Sequence, residues 1–155
     1  MNHKFPFIAN LCYILNKENE VLLQCKSRGF GAGKWNGPGG KQDPGETITE
    51  AGIREVKEET DITVKSLKKM GELEFVFVDN EESNFLTHVF ICRDWEGSPK
   101  NLGEGELKWF KIDEVPLDKM WDDDQYWLKP LLKGEYQRKR FYFDKNGKVI
   151  KYEEL

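Results

Sequence analysis

"GPGGKQDPGETITEAGIREVKEET" occupies residues 37–60. It opens on glycine and proline and closes on Glu55, Glu58 and Glu59, three carboxylates within five residues. At about 100° per residue they share one stripe of a helix, and Glu55 meets Glu59 at the i+4 spacing where a lysine or arginine would relieve it. Thr47 and Glu50 form the T-x-x-E capping box that starts such a helix near Ile48. Gly52, Ile53 and Val56 supply the adjoining flank, which suits the core. Like charges so arranged weaken a helix unless something positive sits between them. The upstream glycines allow the backbone to approach a ligand closely. Together they describe a site for a hard divalent cation, Mg²⁺ or Mn²⁺, which prefers carboxylate and carbonyl oxygen. The competing reading is a solvated acidic face; Arg54 and Lys57 lie off the stripe and do not interleave it, which weighs against that reading.

Outward from this stretch, the 155 residues carry 24 basic and 28 acidic side chains, a net charge of −4. That balance excludes broad electrostatic binding to nucleic acid or to an anionic membrane. An anionic substrate then needs a local cation. Cys12, Cys25 and Cys92 are odd in number and widely spaced, which excludes a disulfide framework and a zinc site. All three sit in apolar strand-like runs and are expected to be reduced and buried. The N-terminus lacks an apolar signal region and no stretch reaches membrane-spanning length, so a cytoplasmic protein is expected.

Residues 1–155 read as one domain without repeats or linkers. "FIANLCYILNK" and "EVLLQCKS" are strands joined at Asn16–Asn19, followed by the glycine-rich 28–46 loop and the helix. "GELEFVFVD" and "NFLTHVFICRD" form a hairpin around Asp79–Ser83, and "ELKWFKIDEV" is a further strand. "DKMWDDDQYWLKPLLKG" reads as a helix bent by Pro130. The tail is a hairpin whose Asn146-Gly147 suits a type I′ turn. The class is α+β: a mixed β-sheet core with a loop–helix–loop, a C-terminal helix and a hairpin.

Gly40, five residues, Glu46, seven residues, then "REVKEETDI" (54–62) resembles the Nudix box. One specified position departs: Asp61 replaces the second glycine, at a helix C-terminus where a left-handed residue is wanted, and a small stability cost is expected. The resemblance implies the Nudix fold, an α/β/α sandwich, and cleavage of a nucleoside diphosphate linked to another group. It also implies that Glu55, Glu58, Glu59 and the Gly40 carbonyl hold Mg²⁺ or Mn²⁺, that Arg54 orients the glutamates and that Glu46 braces the loop. Glu58, Glu59 and Glu104 all stay open as general base.

"GFGAGKWNGPGGK" (29–41) and "KMWDDDQYW" (119–127) are similar to the family's oxidised-purine nucleoside triphosphatases, which handle 8-oxo-dGTP and 2-hydroxy-dATP. This likeness implies that Trp121 stacks on the purine, with Asp123 and Asp124 at its hydrogen-bonding edge and Asn36 opposite. It places Phe75 and Phe77 on the pocket floor, Asn10, Phe30 and Phe85 nearby, and Lys26 at the rim. An indole face stacks on a purine with about 1–3 kcal/mol. Two adjacent carboxylates do not both ionise readily, so one is expected to keep a proton and donate.

Two residues depart from that branch. Asp122 stands where it has proline, expected to add charge and loosen the turn. Pro38 replaces a bulky apolar residue in the loop above the phosphates. The remaining alternatives are another nucleoside diphosphate derivative, such as an ordinary triphosphate or a dinucleoside polyphosphate, or a non-catalytic nucleotide sensor. Intact box glutamates argue against the sensor. The partner is a small-molecule nucleotide, with neither nucleic acid nor membrane, on a monomer or weak dimer; the basic run "EYQRKRFYF" reads as a solvated face.

Overall fold

The computed structural model describes residues 3–155. Strands β1 (Phe7–Ile14), β2 (Glu20–Lys26), β3 (Trp35–Asn36) and β4 (Gly39–Lys41) precede helix α1 (Ile48–Thr60). Strands β5 (Thr63–Phe77), β6 (Phe85–Glu96) and β7 (Gly105–Lys111) follow, then helix α2 (Leu128–Leu132) and strands β8 (Gln137–Phe143) and β9 (Val149–Glu154). The large sheet is mixed, in the order β4-β1-β6-β5-β8-β9, with β1–β6 and β5–β8 parallel. A small antiparallel sheet, β3-β2-β7, stands against it.

Period-two alternation divides the core in two. Tyr13 on β1 joins Leu73, Phe75, Val89, Phe141 and Trp127 on one face of the large sheet. Its neighbours Cys12 and Ile14 point the other way, to Phe90, Cys92, Val56 and Ile62 beneath α1. α1 lies close to the sheet because Gly52 faces it: a Cβ there would stand 2.9 Å from the Cys12 sulfur. The capping box is formed in both directions, Glu50 N–H donating to Thr47 Oγ1 at 3.1 Å and Thr47 N–H to Glu50 Oε1 at 2.9 Å. Asp61 ends the helix in the left-handed region, φ 63° and ψ 15°, its N–H donating to the Lys57 carbonyl.

Several sequence expectations are corrected. The 118–134 stretch is not one helix but two 3-10 segments, Leu117–Lys119 and Asp122–Tyr126, followed by the short α2. Pro130 explains the break: it has no N–H to continue a helix, yet it fits the first turn of α2, where that donor has no partner. β5 runs to 15 residues rather than the nine read from "GELEFVFVD", because three register shifts between Val64 and Gly71 disguise its alternation. The β8–β9 turn is not type I′. Only Gly147 has positive φ, at 76°, and the Asp144 carboxylate accepts from the N–H groups of Asn146 and Lys148. A side-chain acceptor has replaced the left-handed asparagine. Cys12 and Cys92 are buried, but Cys25 is only half-buried, at the cavity end of β2. The basic run on β8 is matched by carboxylates: Arg138 faces Glu72, Lys139 meets Glu154, and Arg140 meets Glu74. Among the described residues no helix is long and apolar enough to cross a membrane.

Candidate active site

One cavity of about 890 Å³ runs between the two sheets, from Glu59 of α1 at one end to the Trp121 segment at the other, while Glu55 and Glu58 are turned to Arg54 outside its lining. At the α1 end the tight β1–β4 pairing leaves no room for a side chain at Gly39, whose Cβ would collide with the Asn10 backbone. Gly39 N–H donates to Glu59 Oε2 at 2.9 Å, and the Gly40 carbonyl accepts from Asn10 Nδ2 at 3.1 Å. A Cβ on Gly40 would lie 2.7 Å from the Glu55 carboxyl. The backbone thus reaches both glutamates directly, as the glycines of the loop allow.

Arg54 organises the rest. It grips Glu46 through two bonds of 2.8 and 3.0 Å, and its third nitrogen donates to Glu55 at 3.0 Å and Glu58 at 3.1 Å. The guanidinium holds the Glu46 carboxyl below its usual range. Glu46 in turn accepts the Asp43 N–H at 2.8 Å, which closes the loop onto the helix. Burial pushes Glu59 up to about 8, with the Glu55 and Glu104 charges adding to it. Glu55 is raised too, burial outweighing Arg54. Lys26 at the rim acts oppositely on Glu59. No three metal-ligating side chains close into a shell among the described residues. The oxygen donors nevertheless fit a hard divalent cation, since a buried carboxylate held at about 8 lacks the positive charge such an ion brings.

At the other end Trp121 stands in extended backbone just before the second 3-10 segment. Phe30, which is 70% exposed, lies against its ring at 4.9 Å between centroids, and Lys34 Nζ is 5.4 Å from it. Asp123 and Asp124 are both buried and both line the cavity. Asp123 accepts the Trp127 indole N–H at 2.7 Å, whereas Asp124 Oδ2 has no partner. Burial raises Asp123 to about 6. It raises Asp124 well above the carboxylate range, with the Asp123 charge adding to the shift. Asn36 Oδ1 is committed to Gly37 N–H and the Tyr13 hydroxyl, so its amide nitrogen is what it offers the cavity. Phe75, Phe77 and Phe85 form the apolar floor, the Phe85 ring lying 4.8 Å from Phe75 and 6.1 Å from Phe77 between centroids.

Two residues stand differently from expectation. Asn10, expected near the pocket, lines the cavity but commits its amide nitrogen to the Gly40 carbonyl. Asp122 does not loosen its turn: Oδ2 accepts Val149 N–H from β9 at 2.8 Å and Oδ1 accepts Gln125 Nε2 at 3.0 Å. Pro38 is buried and its carbonyl accepts Cys12 N–H at 2.8 Å. Sequence reasoning missed Gln24, Thr87 and Lys34, which line the same cavity. Gln24 Nε2 and Thr87 Oγ1 are buried without partners. Their signal was present as single polar residues interrupting the apolar runs "VLLQC" and "NFLTHVF".

A mixed sheet carrying this glycine loop and glutamate helix defines a Nudix hydrolase, and the chain belongs to that family: the NUDIX domain profile matches residues 6–131. Enzymes of the family are generally dependent on divalent metal. Among its relatives, the oxidized purine nucleoside triphosphate hydrolase of Danio rerio is 45% identical over 129 residues, 82% of this chain and 80% of its own. The protein of the same name from Mus musculus is 39% identical, covering 85% and 84%. The mutator MutT protein of Bacillus halodurans superposes with a TM-score of 0.81 at 29% identity, over 95% of this chain and 96% of its own.

Proposed function

We propose that this protein hydrolyses oxidised purine nucleoside triphosphates such as 8-oxo-dGTP or 2-hydroxy-dATP to the monophosphate and pyrophosphate, and so sanitises the nucleotide pool. The observation that carries this reading is the pair Asp123 and Asp124, buried beside Trp121 in a cavity that reaches Glu59 of α1. Their unequal surroundings favour one protonated and one ionised carboxyl, so the pair presents a donor and an acceptor to a purine edge. Trp121 supplies the stacking face and the Asn36 amide faces the base from the other wall.

Gly40, Glu55, Glu58 and Glu59 would hold Mg²⁺ or Mn²⁺, which polarises phosphoryl oxygens and activates water for attack on phosphorus. Arg54 keeps Glu55 and Glu58 oriented, and Lys26 offers its charge to the phosphates at the rim. Glu58, Glu59 and Glu104 compete for the general-base role, and the pH–rate profiles of their glutamine variants assign it. The whole chain is taken as one catalytic domain, a cytoplasmic monomer or weak dimer with free cysteines.

The test is pyrophosphate release with Mg²⁺, comparing kcat/KM for 8-oxo-dGTP, 2-hydroxy-dATP, dGTP and dATP, with a chelated control. Preference for an oxidised purine that vanishes on chelation is the expected result. Equal or negligible rates on all four would sink the sanitising reading.

A further inference from the structure

We propose that Asp122 is a positioning residue, whose carboxylate ties the purine-facing segment to the β8–β9 hairpin and so sets which purines the cavity selects. The inference rests on the purine reading of the pocket and adds a determinant outside it.

An aspartate opening a helical segment ordinarily turns its carboxylate back to cap its own first amides. Asp122 opens the 3-10 segment, yet Oδ2 accepts the N–H of Val149, 27 residues away, at 2.8 Å. Its second oxygen accepts Gln125 Nε2 at 3.0 Å, and Lys148 Nζ lies 4.0 Å off. Val149 is the first residue of β9, and its pairing with Phe143 follows a register irregularity. The carboxylate therefore grips the hairpin where its ladder is disturbed. Neither partner of the tie lines the cavity, but the segments that carry them do. Trp121, Asp123 and Asp124 line one side, while Asp144, Lys145 and Gly147 of the hairpin line another. At the far end of the segment, Tyr126 packs on Tyr152 of β9 at 5.2 Å. Packing anchors that end; the Asp122 bond anchors the end that carries Trp121.

The side chain is only 23% exposed, so loss of the acceptor leaves the Val149 amide poorly solvated and lets the wall shift. Since Asp122 does not itself line the cavity, its effect must appear in how substrate is held rather than in the phosphoryl step. Asp122→Ala is expected to raise KM for the preferred oxidised purine triphosphate about tenfold with kcat within about twofold. The preference over the unoxidised purine should fall by a similar factor. Asp122→Asn keeps an oxygen for Val149 N–H and should restore both values. Lys148→Ala removes an exposed cation and should change neither.

Asp122→Pro guards against an unfolded alanine variant. Proline suits the first position of a helical turn, and Trp121 before it already has ψ 145°. The proline stiffens the turn but frees the hairpin, so KM should again rise. Wild-type KM and selectivity in the alanine or the proline variant would overturn the tie. A wild-type enzyme without purine preference would instead sink the substrate reading.

Discussion

At the α1 end of the cavity a single guanidinium serves Glu46, Glu55 and Glu58, whereas at the Trp121 end one of two buried carboxyls, Asp123, takes the indole N–H and the other, Asp124, keeps an oxygen unpartnered. The first end is arranged around charge: its acids stay close because Arg54 and Lys26 offset them. The second end is arranged around protonation, since carboxyls cut off from water and from bonded cations hold protons more tightly. Under the proposed function, two clusters of the same residue type would divide the work into phosphoryl chemistry and base reading.

The hardest blow to this contrast falls at the first end. Glu58→Gln keeps the shape of a half-exposed side chain while removing a charge aimed at the cation. Turnover should drop by a factor on the order of 10³, with the melting temperature nearly unchanged. Pyrophosphate release and a circular dichroism melt check both halves; retained turnover would break the assignment.

A smaller effect sharpens the second end. Burial raises Asp123 to about 6 in the folded protein, and raises Asp124 well above the ordinary carboxylate range. A raised native value means that the folded state binds the proton more tightly. The favourable contribution is fully present below the unfolded value and is lost as pH rises through about 6 and beyond. Asp124→Asn removes the second charge. It should match the wild type in stability at about pH 4 and exceed it by about 1–3 kcal/mol at about pH 8. Denaturant unfolding across that range measures the difference, and a pH-independent difference would contradict the protonation argument.

The smallest effect concerns how the first end is built. Asp61→Gly places the residue preferred in left-handed backbone at φ 63°, but removes the exposed pair with Lys57 at 3.0 Å. The net gain should be under about 1 kcal/mol, a rise of roughly 2 °C in Tm, with turnover unchanged.

The two ends also differed in how far the sequence disclosed them. Most of what shapes the α1 end lies within Gly39–Asp61, Lys26 and Glu104 acting on Glu59 from outside it, and the cap, the stripe and the left-handed terminus were legible there because each depends on near neighbours. The exception was Asn10, whose bond to the Gly40 carbonyl comes from a distant strand. The Trp121 end is assembled from β1, β2, β6, the 3-10 segment and the hairpin. The residues Trp121, Asp123 and Asp124 were legible through likeness, but the 3-10 geometry, the grip of Asp122 on Val149 and the buried Thr87 and Gln24 were not. Those features arise from contacts across tens of residues, which periodicity does not register. The same holds for the register shifts of β5 and for the Asp144-capped turn.

Asn10 Nδ2 on the Gly40 carbonyl and Gly39 N–H on Glu59 have a thermodynamic consequence. Both bonds form within the protein alone, so the entropy of ordering the 39–40 backbone is lost during folding rather than on arrival of the ion. Binding of a divalent cation there would then proceed with little loss of chain freedom, and its temperature dependence would report dehydration of the ion and carboxylates instead of loop closure.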